Sequence, residues 1–199
     1  DDNPYYFDFW EPVSFVWKEK MGHIPVLAHF GEKKPSQKYG IVVSMETNSE
    51  VPVHTQCQLS RLWIPKLFSN ELCVTSDIDM FPASKKYWDS IELENSFHSF
   101  VEKVLRETEN HTTHQLGFGG LTRWGIDEEY SSAKIVSRRD DLKVLQPPRP
   151  GGFPNGHRID RLNWNYDADK LKNGEYIDCH SLRPFSWHKE EIMKLVDLI

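Results

Sequence analysis

Asp77-Ile78-Asp79 is the stretch of this chain best suited to hold a divalent cation. It follows the run Glu71-Leu72-Cys73-Val74-Thr75-Ser76, which reads as a strand delivering two carboxylates at its carboxyl end. Strand side chains alternate between faces, so Asp77 and Asp79 project to the same side. Hard cations such as Mg²⁺ and Mn²⁺ take oxygen ligands, commonly one or two carboxylates together with substrate phosphates. The pattern predicts a cation–phosphate site; the plainer alternative is a pair of acids capping a turn. A second Asp-x-Asp, Asp167-Ala168-Asp169, has no strand leading into it and reads as a solvated turn.

His180 closes another strand-like run, Tyr176-Ile177-Asp178-Cys179, and Arg183 follows three residues later. A neutral imidazole can complete a metal shell, and a guanidinium matches phosphate oxygens. Spacing alone leaves His180 open between a ligand and a structural histidine.

The elements that must position these residues follow from periodicity. Tyr5 to Met21 has the broad apolar side of a helix (Phe7, Trp10, Val13, Phe15, Val16, Trp17) and is stopped by Gly22. Ile24–Phe30 and Gly40–Met45 read as short buried strands, and Thr55–Phe68 as a helix with Leu59, Leu62, Trp63 and Leu67 at helical spacing. Lys85–Arg106 is expected to be mainly helical, Gln115–Leu121 a glycine-rich strand running into a loop, Ile126–Ser137 a helix and Leu142–Leu145 a strand. Residues 146–156 hold four Pro and three Gly in eleven positions, a composition that excludes regular structure and predicts a loop. His188–Ile199 reads as a closing helix. Strands alternating with helices predict an α/β fold with a mixed, mostly parallel central sheet flanked by helices. In such sheets ligands gather beyond the carboxyl ends of the strands, where Asp77, Asp79 and His180 are expected to meet.

The 199 residues suit a single domain spanning 1–199. Thirty acidic residues against 24 basic ones give a net charge of −6, which argues against a protein that grips nucleic acid. No apolar run approaches the ~20 residues of a membrane span, and no signal-peptide pattern is visible. These features predict a cytoplasmic protein. The start at Asp1-Asp2-Asn3-Pro4, without Met, reads as a fragment whose first strand lies upstream. Cys57, Cys73 and Cys179 are odd in number and widely spaced, which predicts reduced thiols.

Two segments together resemble glycogenin-like, family-8-type glycosyltransferases. Gln58-Leu59-Ser60-Arg61-Leu62-Trp63-Ile64-Pro65 and the following stretch into Asp77-Ile78-Asp79 resemble the family's Arg-x-x-x-Pro helix, turn and Asp-x-Asp strand. Tyr176–Trp187 resembles its late strand-His-x-x-x-Lys-Pro-Trp segment, with Arg183 standing at the Lys. The whole chain is also similar to virus-encoded glycosyltransferase domains linked to capsid-protein glycosylation. The resemblance implies a GT-A fold, a UDP-sugar donor, Mn²⁺ or Mg²⁺, and a glycan or glycoprotein acceptor. It implies that Asp79 binds the metal, that Asp77 (with Ile78 between them) holds metal, a metal-bound water or ribose, that His180 is a further ligand, that Arg183 binds phosphate, and that Arg61 braces the donor side. The family's Asp-Gln-Asp-x-x-Asn motif is only partly matched by Asp160 and Asn163, with Ile159 in place of Gln. Trp124-Gly125-Ile126-Asp127-Glu128 resembles instead the acceptor segment of inverting galactosyltransferases, where Asp127 or Glu128 would be the base; equally, these acids suit the positive end of the following helix. Retention and inversion therefore both stay open. Rival readings are an Asp-x-Asp phosphohydrolase, opposed by Phe81 where Thr or Val is usual, and a metal-dependent carbohydrate-binding module without turnover.

Overall fold

A computed structural model describes residues 1–68, 71–90 and 158–199. Among them, 1–46, 76–90 and 158–199 form one compact unit, and 47–68 with 71–75 belong to a second. The described residues form a mixed helix and strand architecture with two small sheets.

The first unit opens on a 3₁₀ turn (Phe7–Phe9), helix α1 (Trp10–Phe15) and a π-helical turn (Val16–Met21). Phe9, Val13 and Val16 recur at helical spacing and are fully or nearly buried. Pro12 is tolerated because it lies in the first turn, where no intrahelical partner is lost. The helix stops at Gly22, whose φ of +80° is open to glycine without strain. The Lys85 ammonium then caps the carbonyl of Met21 at 2.7 Å.

Strands β1 (Val26–His29) and β2 (Ile41–Ser44) pair in parallel, with Val26 opposite Ile41. Their join needs Gly40, where a Cβ would lie 2.6 Å from the carbonyl oxygen of Pro25. In the second unit, helix α2 (Val53–Trp63) runs into a 3₁₀ turn (Ile64–Phe68), two residues earlier at its start than periodicity predicts.

The second sheet positions the site. Strand β3 (Met80–Pro82) pairs antiparallel with β5 (Asp178–His180), which pairs in parallel with β4 (Arg158–Asp160), in the order β3-β5-β4. Phe81, Cys179 and Ile159 form one row across it, each at most 1 % exposed. They face a core completed by Phe9, Val13, Leu171, Ile192 and Leu195. Phe9 contacts Phe81 and Phe185 edge to face, with centroids 6.3 and 5.4 Å apart, tying the N-terminal helix to β3 and to helix α5 (Phe185–Leu198). Period-2 alternation turns the neighbouring rows to the other face: Pro82, Asp178 and Arg158 in one, Met80, His180 and Asp160 in the next.

The strand expected over Glu71–Ser76 does not form. Leu72 and Val74 are 43 and 46 % exposed, and no ladder partner holds the segment among the described residues. The Asp pair therefore precedes a strand instead of ending one. Cys73 accordingly sits half-buried outside any strand, while Cys179 is fully buried and its thiol is pushed well above the usual range by burial. All three cysteines are free thiols. Of the helix expected over Lys85–Arg106, helix α3 (Lys85–Asp89) is described; its continuation, the elements expected over 115–145 and the loop 146–156 lie outside the described residues.

The second Asp-x-Asp begins helix α4 (Ala168–Lys172). The Asp167 carboxylate accepts the backbone N–H groups of Asp169 (2.9 Å) and Lys170 (3.1 Å). It is an N-cap, which explains the motif without a ligand. Asp167→Ala is expected to cost about 1 kcal/mol of stability and to leave Mn²⁺ affinity unchanged. A melting curve and a metal titration on the same variant check both parts.

Candidate functional site

Because β3 runs against β4 and β5, its amino end lies beside their carboxyl ends. Asp79, one residue before β3, thereby meets His180 and Asp160 at the ends of β5 and β4. His180 lies at the carboxyl end of its strand as expected, with Asp160 at the end of β4, and antiparallel pairing brings the Asp pair to the same edge. Two further features hold Asp79 in place. Its carbonyl accepts the N–H of Ser181 at 2.9 Å, and Ile78 packs its side chain on the core.

Asp79 is 2 % exposed, and one of its oxygens is the focus of the site. Oδ2 lies 3.0 Å from Arg161 Nη1, 3.0 Å from Arg183 Nε and 3.5 Å from His180 Nε2. Ligand atoms of Asp77, Asp79 and His180 all lie within 4.8 Å of one another. Two carboxylates and an imidazole at that spacing form a hard, mixed O/N donor set of the kind that Mn²⁺ or Mg²⁺ accepts. The residues present therefore fit a divalent cation.

His180 stands between acids: its Nδ1 is 3.8 Å from Asp160 Oδ2, an ion-pair separation longer than a hydrogen bond. Burial opposes charge on the imidazole, but the hydrogen bond and charge of Asp79, with the charge of Asp77, outweigh it and hold His180 above the ordinary histidine range. A carboxylate on the nitrogen that faces away from a metal is the usual way to orient a ligating histidine. Asp160 is 40 % exposed at its side chain and also accepts the N–H of Leu162 at 2.9 Å, which fixes the turn carrying Arg161.

Arg183 is held from a second side. It donates from Nη1 to the Tyr6 hydroxyl and lies 5.1 Å from the centroid of that ring. Behind the site, Arg158 Nε and Nη2 reach the buried carboxylate of Asp178 at 2.5 and 3.2 Å. Burial pushes the Asp178 carboxyl up against the pull of this pair. Arg158, opposed by its own burial, is raised by the same contact.

The structure thus brings Asp77, Asp79, Asp160, His180 and Arg183 together. Arg61 lies in the last turn of α2, in the second unit. Asp127 and Glu128 lie outside the described residues. Sequence reasoning passed over Arg161 and Tyr6. Arg161 was in view beside Asp160, but nothing in its neighbours marks it; only the turn after β4 aims it at Asp79. No family model, no characterised protein and no solved structure significantly matches this chain.

Proposed function

We propose that this protein is a metal-dependent glycosyltransferase of GT-A type, moving a sugar from a UDP-sugar (UDP-glucose or a related hexose or deoxyhexose) to a glycan or glycoprotein acceptor. The observation that carries this reading is the focus on Asp79. Asp77, Asp79 and His180 form a hard cation set, and two guanidinium groups converge on the same carboxylate. Cation ligands beside paired arginines suit a ligand with adjacent phosphates. A bound Mn²⁺ or Mg²⁺ would supply Lewis-acid neutralisation of a diphosphate leaving group. Asp77, Asp79 and His180 would hold that ion, with Asp160 steadying the imidazole. Arg183 and Arg161 would bind phosphate oxygens and stabilise the charge that builds as the bond from the sugar's anomeric carbon to the diphosphate oxygen breaks. That bonding pair leaves with the nucleoside diphosphate, the acceptor oxygen forms the new bond, and its proton passes to a base. Asp160, half-open at the edge of the site, is the described candidate for contact with the transferred sugar. Asp127 and Glu128 are candidates from sequence alone.

The phosphohydrolase reading is opposed by Phe81, which stands where Thr or Val is usual. No helix among the described residues is long and apolar enough to cross a membrane. Location in the cytoplasm is part of this proposal. Calorimetry with UDP, GDP and CMP, with and without Mn²⁺, alongside hydrolysis of several UDP-sugars, tests it. The expected result is UDP binding that requires Mn²⁺, together with slow release of UDP from one sugar donor. UDP binding equally well without metal would overturn the reading. Sugar binding indifferent to nucleotide would favour a carbohydrate-binding module.

A further inference from the structure

We propose that Arg161 couples the two halves of the site: it neutralises Asp79 in the absence of a divalent cation and transfers to the phosphates when a cation takes Asp79, so that cation and diphosphate bind cooperatively. This rests on the reading of the site as a cation–diphosphate centre and adds to it a coupling and the residue that carries it.

The inference starts from charge. Asp77 and Asp79 carry two negative charges, and Arg161 and Arg183 bring two positive ones to the same carboxylate oxygen. These four charges cancel. A divalent cation held by Asp77, Asp79 and His180 adds two positive charges beside two guanidinium groups that are 3.0 Å from the shared ligand. The cation must compete with both arginines for Asp79, and its affinity alone is thereby held down. A diphosphate brings the missing negative charge and gives the displaced guanidinium a new partner. Each ligand removes the cost of the other, and by linkage the effect is equal in both directions.

The contacts single out Arg161 as the group that moves. Arg183 is pinned twice, by Asp79 and by Tyr6, whose ring it also covers. Arg161 has Asp79 as its hydrogen-bond and ion-pair partner among the described residues, through one nitrogen, and its side chain is 26 % exposed. It sits on the turn after β4, next to the half-open Asp160 and the 93 % exposed Leu162, so the segment carrying it lies at the surface. A guanidinium carries five N–H donors in a planar fork, so one contact leaves donors for phosphate oxygens.

The test is a metal titration followed by calorimetry, with Mn²⁺ and UDP as probes, on the full chain and on Arg161→Gln. In the unaltered protein, saturating UDP is expected to tighten Mn²⁺ by about 10-fold or more, within the 5–150-fold range typical of coupled sites. In Arg161→Gln two changes of opposite sign are expected: Mn²⁺ alone binds about 3-fold or more tighter, because a competitor for Asp79 is gone, and the tightening by UDP falls below about 3-fold. A purely structural role for Arg161 would weaken both. Arg161→Met, which keeps the stem and removes the charge, must give the same two signs and serves if the Gln variant fails to fold. If UDP tightens Mn²⁺ equally in the variants and the unaltered protein, the coupling role of Arg161 is overturned while the cation–diphosphate reading stands. If the unaltered protein shows no Mn²⁺-dependent UDP binding, both fall.

Discussion

Asp79→Ala is expected to abolish Mn²⁺-dependent UDP binding and to lower stability in the same step. Loss of a residue that merely orients a metal ligand costs about 10–100-fold in affinity, so loss of the ligand at the centre of this cluster should exceed about 100-fold. The stability effect has a separate cause. Arg161, Arg183 and His180 all address Oδ2 of a carboxylate that is 2 % exposed. Without it, positive groups remain close together and lack their common acceptor. Breaking a buried pair by removing one partner costs about 3–5 kcal/mol. The lower end applies here, because the arginine side chains are 26 and 22 % exposed and regain water. A loss of about 3 kcal/mol corresponds to a fall of roughly 6–12 °C in Tm for a chain of this size. Asp79→Asn separates the two effects, since it keeps the volume and one acceptor oxygen. It should recover part of the melting temperature and none of the metal-dependent binding. A titration showing full Mn²⁺-dependent UDP binding by a folded Asp79→Ala protein would remove the centre from the proposed site.

Much of the helical framework was legible from periodicity, because buried helices leave a strong 3.6-residue record. Phe9, Val13 and Val16 mark one, Ile192, Leu195 and Val196 another, and Gly22 punctuates the first. The residues of the candidate site were legible by type. Carboxylates two apart and a histidine with a following arginine are few enough to be noticed. What misled was the local context of the Asp pair. Leu72, Cys73 and Val74 have strand-like composition, but composition carries no information about a ladder partner, and two of the three are exposed. The strand that matters is Met80-Phe81-Pro82, three residues with Pro at the end, too short to show alternation against background. Its antiparallel direction was equally hidden, since direction depends on which distant strand it joins. The same limit explains Arg161 and Tyr6. Their roles come from contacts across 82 and 177 positions, which local spacing cannot encode. Asp167-Ala168-Asp169 is the converse case: helix start chemistry accounts for it, and the lack of a preceding strand was a sufficient warning.

Asp178→Ala is expected to destabilise the protein as strongly as any single change near the site, without touching a proposed metal ligand. Asp178 is 3 % exposed and takes two nitrogens of Arg158. The two residues are direct register partners of β5 and β4, one row behind His180 and Asp160. Truncating Asp178 removes the carboxylate that takes Nε and Nη2 of Arg158, whose guanidinium also lies 3.3 Å from the Met80 sulfur. The Arg158 side chain is 24 % exposed and regains water, so the lower end of the range of about 3–5 kcal/mol applies again: about 3 kcal/mol, or roughly 6–12 °C in Tm. Removing both charges is a different experiment. Apolar replacements of similar volume for a buried pair are often neutral or stabilising by about 1–4 kcal/mol, so Arg158→Met with Asp178→Leu should melt near the unaltered protein. The pair's contribution then lies in register. A slip of one residue between β4 and β5 would turn Asp160 and His180 to opposite faces, and the apolar row Ile159–Cys179 would turn with them. The Arg158–Asp178 contact opposes that slip from within the polar face, where hydrophobic packing has no hold. The double variant is therefore expected to fold and yet to lose about 10-fold in Mn²⁺-dependent UDP affinity, the loss typical when a ligand's orienting contacts are removed. A double variant that melts normally and binds normally would show that the core row alone sets the register and that the buried pair is dispensable to the site.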